Sequence, residues 1–321
     1  MPRGQYQDDN GVWNECEIIR MCRGNSRIEL SSGDRILWPS ARVRLLDLPA
    51  GDQLGINPHT RIVPEIPLQR LYLTLRKFKG SRAQRFEQTE QLISGQGNLN
   101  ATAFITELFG RSVNQMQCYS NEQEGFYSER TARIGKNYKF ANDLVQKLNQ
   151  TGSHNLENGV AVKMVDYEIF PLRTTRSIRD NGKPAKSKSA GTLDVLFAVT
   201  SNGVTLPGVG EIKAKSENVG ITFALIQALM NASLLTTTSQ FRRLKSFYSD
   251  DYGDHFGNNG NMKLQVDIIL MVEKSSKLLA RDVKLAMDLR SGLVQNEFVR
   301  SITFVNVAEG STFESFPANE L

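Results

Sequence analysis

Apolar and polar positions change rhythm three times along this chain. Between residues 12 and 46, short apolar runs are broken by polar or glycine-containing turns. Val12 to Ile19, Ser26 to Leu30, Arg35 to Trp38 and Arg42 to Leu46 read as strands. Gly24-Asn25 and Ser32-Gly33-Asp34 supply the turns, because these residue types tolerate positive φ. Four of the ten prolines, Pro49, Pro58, Pro64 and Pro67, then fall within 49–67. Proline removes backbone donors and restricts the residue before it, which predicts a linker or an extended strap. Ser81 to Ile93 and Thr102 to Gln115 repeat apolar residues every three or four positions, the helical period.

From residue 126 onward the pattern alternates between strands and helices. Glu129 to Asn149, Thr222 to Leu235 and Arg281 to Asp288 read as helices. Ala161 to Phe170, Leu193 to Thr200, Val209 to Lys215, Leu264 to Val272 and Arg300 to Val307 read as strands. Such an order predicts an α/β domain, a central mixed sheet flanked by helices. The Asn/Gly-rich run Asp250 to Asn261 reads as a mobile loop. The expected organisation is a small all-β unit over 1–48, a linker and helical connector over 49–125, and the α/β domain over 126–321.

Composition narrows the classes. The chain has 321 residues, 40% of them hydrophobic and 23% charged, which fits a folded chain and excludes wholesale disorder. No apolar run is long enough for a membrane span, and no signal peptide is visible, so a cytoplasmic location is expected. Cys16, Cys22 and Cys118 are odd in number and lack CxxC spacing, which argues against a disulfide framework or a structural zinc site. His59, His154 and His255 are scattered, which argues against a histidine metal cluster.

Glu211-Ile212-Lys213 opens a strand that follows Asn202-Gly203 and Pro207-Gly208, both read as turn residues. Residues i and i+2 of a strand share a face, so Glu211 and Lys213 point the same way. Asp194 lies inside the preceding apolar strand, Gly191-Thr-Leu-Asp194-Val-Leu-Phe-Ala-Val199. A hairpin of the right register adds it to that face. Burying carboxylates costs several kcal/mol unless they are paired or bind a metal, and two facing acids repel. A divalent cation resolves both problems, and Mg²⁺ takes one or two carboxylates, waters and substrate phosphate. A neighbouring ammonium positions water or stabilises developing charge. The alternative is a strand hairpin whose charges form a structural ion pair.

An acid on one strand followed by acid-x-Lys on the next resembles the PD-(D/E)XK nuclease superfamily, whose fold is restriction-endonuclease-like. The resemblance implies that Asp194 and Glu211 bind Mg²⁺, with Mn²⁺ as a substitute, and that Lys213 assists the attacking water. The Gly-x-x-Asp form, Gly191 to Asp194, is common in RecB-like and resolvase-like branches, which often carry a glutamine on the following helix. Gln227 occupies such a place, while Asn231 stands where the RecB-like pattern has tyrosine. Many members also carry a glutamate on the first helix of the fold. Lys139 holds the position where it is expected, leaving Glu129 as first choice of third metal ligand and Asp143 as alternative. In the N-terminal unit, Gly11-Val-Trp13, Ile18-Ile19-Arg20, Ile28-Glu29-Leu30 and Trp38-Pro39 resemble an SH3-like or Tudor-like barrel, a surface for a protein partner. Trp13 and Trp38 either build its core or form a partly exposed site for a peptide or nucleic acid.

Charge distribution points to a polyanion. The whole-chain charge is only +5, from 39 Lys+Arg against 34 Asp+Glu. Arg173, Arg176, Arg179, Lys183, Lys186 and Lys188 lie together just before Asp194, against the single acid Asp180. A second basic stretch, Arg70 to Arg85, contains Arg76, Lys77 and Lys79 interleaved with Tyr72 and Phe78, and no acid. Cations with aromatic interleaving suit a phosphate backbone, and a solvated surface explains them equally. Arg242, Arg243 and Lys245 add cations after the Gln227 helix. The expected function is a Mg²⁺-dependent nuclease acting on DNA, with RNA as the alternative substrate, in restriction, anti-phage defence or repair. A homodimer is common among such folds. The competing readings are a catalytically inactive nucleic-acid-binding or assembly protein on this scaffold, and a peptide-reading adaptor using the barrel.

Overall fold

A computed structural model describes residues 3–7, 10, 12–20, 25–30, 35–39, 43–45, 66–95, 100–117, 139–156, 159–169, 193–217, 219–252, 264–274, 278–308 and 313–315. The N-terminal strands are β1 (Arg3–Gln7), β2 (Trp13–Arg20), β3 (Asn25–Leu30), β4 (Arg35–Pro39) and β5 (Val43–Leu45). All pair antiparallel, in the order β4-β3-β2-β1-β5. Four of them match the expected runs, and β1 is additional.

Helices α1 (Pro67–Leu75), α2 (Arg82–Ser94) and α3 (Ala101–Gln117) follow. The expected linker thus ends in a helix. Pro67 sits in its first turn, where a missing N–H is harmless, and Leu68, Leu71, Tyr72 and Leu75 form its buried face. Ser81 starts α2 with a capping box, its hydroxyl accepting from Gln84 N–H while Gln84 accepts from Ser81 N–H.

The second sheet is mixed and seven-stranded, in the order β12-β11-β10-β9-β8-β7-β6. Its strands are β6 (Ser153–Asn155), β7 (Ala161–Ile169), β8 (Leu193–Ser201), β9 (Val204–Lys213), β10 (Val266–Glu273), β11 (Val299–Val307) and β12 (Phe313–Ser315). Strands β6 to β9 pair antiparallel with one another, β9, β10 and β11 are parallel, and β12 pairs antiparallel with β11. Parallel neighbours need crossovers. Helices α5 (Ile221–Leu235), α6 (Thr238–Phe247) and α7 (Ser249–Tyr252) lie between β9 and β10, and α8 (Ala280–Leu293) between β10 and β11. The short α7 occupies the start of the expected mobile loop, and 253–263 lies outside the described residues.

The β8–β9 turn corrects one expectation. Asn202 and Gly203 have φ of 51° and 73°, the two positive values of a two-residue type I′ turn. Strand β9 therefore begins at Val204, and Pro207-Gly208 are strand rather than turn. Pro207 pairs with Ala198 of β8, and the ladder to β10 starts only at Gly208, so the proline borders no second strand. At Gly208 a Cβ would lie 2.9 Å from the Phe197 Cβ, and at Gly210 2.6 Å from its ring. The glycines let Phe197 lie flat across β9.

Alternation sorts the sheet into two faces. One face packs α4 (Lys139–Thr151) through Leu144, Val145 and Leu148 against Val195, Phe197, Ile212 and Met271. The other packs α5 and α8 over Leu196, Ala198, Val209 and Leu270, with α1 and α3 as a further layer in the same core. Every residue of α5 except Phe223 is buried. The residues expected to be a connector thus contribute Leu71, Ile105, Phe109 and Val113 to the core of the α/β unit. Gly220 begins α5 without a side-chain cap of its own. Asp282 of α8 caps it instead, accepting from Ile221 N–H at 2.8 Å and Thr222 N–H at 3.0 Å. Among the described residues no helix is long and apolar enough to cross a membrane.

Candidate active site

Val195 pairs with Gly210 across the β8–β9 hairpin, so the next pair outward is Asp194 with Glu211. Both point to the face shared by Leu196, Ala198 and Val209, under α5. The Asp194 carboxylate accepts from Ile212 N–H at 2.9 Å, which fixes its orientation. Lys213 Nζ lies 2.7 Å from Glu211 Oε1 and 3.4 Å from Glu217 Oε2. Glu217 also accepts from Ala214 N–H at 3.3 Å, so the turn after β9 holds it beside the lysine. The structure thus brings Asp194, Glu211 and Lys213 together at the carboxyl end of β9.

Glu211 is fully buried at 0% exposure, and beyond the Lys213 ammonium its carboxylate oxygens have no hydrogen-bond donor. Burial pushes its carboxyl well above the ordinary range, and the Asp194 carboxylate pushes it further; Lys213 opposes without prevailing. For Lys213, burial alone lowers the ammonium's affinity for its proton. Glu211, Glu217 and Asp194 more than reverse that, so the lysine stays protonated.

The other buried acids differ. Asp267 of β10 accepts from Arg300 Nε at 3.0 and 3.1 Å, from Arg300 Nη2 at 2.5 Å and from Ser301 Oγ at 2.6 Å. Asp282 is saturated by the α5 amides. Asp166 accepts from Tyr248 Oη at 2.9 Å and Tyr167 N–H at 2.8 Å. Among the four buried acids of the described residues, Glu211 alone lacks donors of this kind.

Gln227 is buried in α5 at 8% exposure. Glu129, Arg173, Arg176, Arg179, Lys183, Lys186 and Lys188 lie outside the described residues. Asp143 pairs with Lys139 on α4, which covers the opposite sheet face from Asp194 and Glu211. No group of three or more His, Cys, Asp or Glu able to hold a metal occurs among the described residues, so the acid pair is what a cation would find.

Arg76, Lys77 and Lys79 are exposed in the turn between α1 and α2. That turn docks beside the site, because Arg82 donates to the carbonyls of Glu217 at 2.5 Å and Lys215 at 3.4 Å, and Arg85 to that of Phe78 at 3.0 Å. Tyr72, Phe223 and Glu217 also border the site. The sequence carries one local signal for them, the position of Glu217 four residues after Lys213. No protein-family model, curated protein or solved structure matches this chain.

Proposed function

We propose that this chain is a Mg²⁺-dependent nuclease that hydrolyses phosphodiester bonds of DNA on a restriction-endonuclease-like core of the PD-(D/E)XK type. The observation that carries the reading is the state of Glu211. A fully buried carboxylate that faces a second carboxylate and has one ammonium as its only donor is costly as a charge and well suited to a divalent cation. Strand order supports it, since four antiparallel strands, β6 to β9, precede a helical crossover to a parallel strand.

Asp194 and Glu211 fit Mg²⁺, whose remaining positions take water and phosphate oxygen. Bound there, Mg²⁺ supplies Lewis-acid polarisation of a phosphoryl oxygen and acidifies an attacking water. The chain's own residues do the rest. Ile212 N–H holds Asp194 in place. Lys213, kept protonated by its acid neighbours, stabilises negative charge developing on the phosphate. Glu217 keeps Lys213 from swinging away. The basic segments 76–79 and 173–188 supply phosphate contacts, and the N-terminal SH3- or Tudor-like unit recruits a partner. Restriction, anti-phage defence or repair is the setting suggested by analogy with nuclease cores that carry accessory modules.

A catalytically inactive DNA-binding protein is the second reading, favoured because no group of three acids placed to hold a metal occurs among the described residues. Incubation with supercoiled, linear and single-stranded DNA, in Mg²⁺ and in EDTA, separates the two. Cleavage that requires Mg²⁺ and disappears in Lys213→Ala is expected. Cleavage undiminished in both Lys213→Ala and Glu211→Gln overturns the assignment.

A further inference from the structure

Beyond the acid pair, a row of side chains leads outward into α1. Lys213 Nζ lies 6.0 Å from the centre of the Phe223 ring. Phe223 meets Tyr72 with ring centres 5.4 Å apart and planes tilted by 39°. The Arg76 guanidinium lies 5.6 Å from the Tyr72 ring centre. The row begins at a fully buried carboxylate and ends at an exposed cation one helical turn beyond Tyr72.

Tyr72 lies within electrostatic reach of the site. Burial raises its hydroxyl's affinity for the proton, Glu211 raises it further, Arg76 and Lys213 oppose, and Asp194 adds to the rise. The arginines of this basic stretch also divide by use. Arg82 and Arg85 spend donors on backbone carbonyls, whereas the Arg76 guanidinium lies over an aromatic ring. A guanidinium held over a ring by a cation–π contact still has N–H donors for a bidentate partner, which a phosphate provides and a point-charge lysine does not match.

We propose that Tyr72 and Arg76 form the substrate-side wall of this site, with Arg76 gripping a DNA phosphate adjacent to the one cut and Tyr72 acting as its positioning residue. This rests on the nuclease reading above and deepens it, because it makes α1 part of the site. Phe223 transmits the placement, packing Tyr72 on one side and meeting the Lys213 ammonium on the other. A grip on the neighbouring phosphate sets where the scissile bond falls relative to Asp194 and Glu211.

The test uses the full chain and a fluorescent double-stranded DNA oligonucleotide. Binding is measured in the Glu211→Gln background, which separates binding from cleavage, and Mg²⁺-dependent cleavage is measured in the otherwise wild-type chain. Arg76→Gln should weaken binding about tenfold and lower the slope of log K against log salt by about one. Arg76→Lys should restore the slope without restoring the full affinity. Tyr72→Leu should reproduce Arg76→Gln, and Tyr72→Phe, which keeps the ring, should retain the salt slope. If Tyr72→Leu fails to fold, the Tyr72→Phe and Arg76 variants decide. An Arg76→Gln chain that binds with unchanged affinity and slope, and cleaves as wild type does, overturns the proposal and leaves the nuclease reading standing. Loss of binding in Arg76→Gln, in a chain that cleaves nothing in any divalent cation, overturns the nuclease reading and keeps Arg76 as a phosphate contact.

Discussion

Asp267 and Glu211 stand on adjacent parallel strands of one sheet, both buried to 1% or less, and the fold treats them oppositely. Asp267 lies at the amino end of β10, where Arg300 reaches it from β11 and also donates to the carbonyls of Val204 at 2.9 Å and Val199 at 2.8 Å. One guanidinium thereby ties four strands together. Glu211 lies at the carboxyl end of β9, where its neighbours are an ammonium and another acid. A structural carboxylate is saturated with donors. On the proposed reading Glu211 retains capacity for a cation at a cost to the folded chain, and open α/β sheets bind ligands at the carboxyl ends of their strands.

The largest effect is expected at Asp267. Arg300→Leu removes every guanidinium donor from Asp267 and leaves a buried carboxylate with one hydroxyl partner. It should cost about 3–5 kcal/mol of stability, measured by urea unfolding. Asp267→Asn in the same background should recover part of that loss. At the functional end the sign reverses. Glu211→Gln should abolish Mg²⁺-dependent cleavage while raising the stability of the metal-free chain at pH 8 by about 1–3 kcal/mol.

The pH dependence sharpens the same contrast. A carboxyl held above its ordinary value of 4.5 keeps its proton in the folded chain where the unfolded chain has lost it. The folded state then binds more protons, so stability falls as pH rises from 4.5 through the raised value. Denaturation midpoints of the metal-free wild type should decline across that interval, and those of Glu211→Gln should decline less. The smallest effect is expected from Asp143→Asn, which breaks a pair exposed on α4 over the other sheet face. Cleavage and thermal stability should both stay at wild-type levels, and a loss of cleavage would return Asp143 to the list of metal ligands.

The sequence carried the functional end of this contrast better than the structural end. Glu211 and Lys213 share a face through simple alternation, and the Asn-Gly turn puts Asp194 opposite Glu211. These are local rules. Pro207-Gly208 misled because the residues look like a turn, while a strand that outruns its neighbour tolerates proline and a flat-lying Phe197 demands glycine. Helix α1 hid behind four prolines, although Leu68, Leu71, Tyr72 and Leu75 have helical spacing. The contacts that define the site's surroundings are long-range. Nothing near Asp267 announces Arg300, 33 residues on, and nothing near Phe223 announces Tyr72. Saturation of a buried acid is a property of packing, and it separates Glu211 from Asp166, Asp267 and Asp282.

The central claim is that the Asp194–Glu211 pair is completed by a divalent cation. Thermal unfolding of the wild type and of Glu211→Gln, each titrated with Mg²⁺ against an EDTA baseline, tests it without reference to any substrate. A cation that binds only the folded state stabilises it by about 2.7 kcal/mol at a hundredfold excess over its dissociation constant. The midpoint should climb with Mg²⁺ in the wild type and stay flat in Glu211→Gln. A flat response in the wild type, or the same climb in both, would contradict the claim.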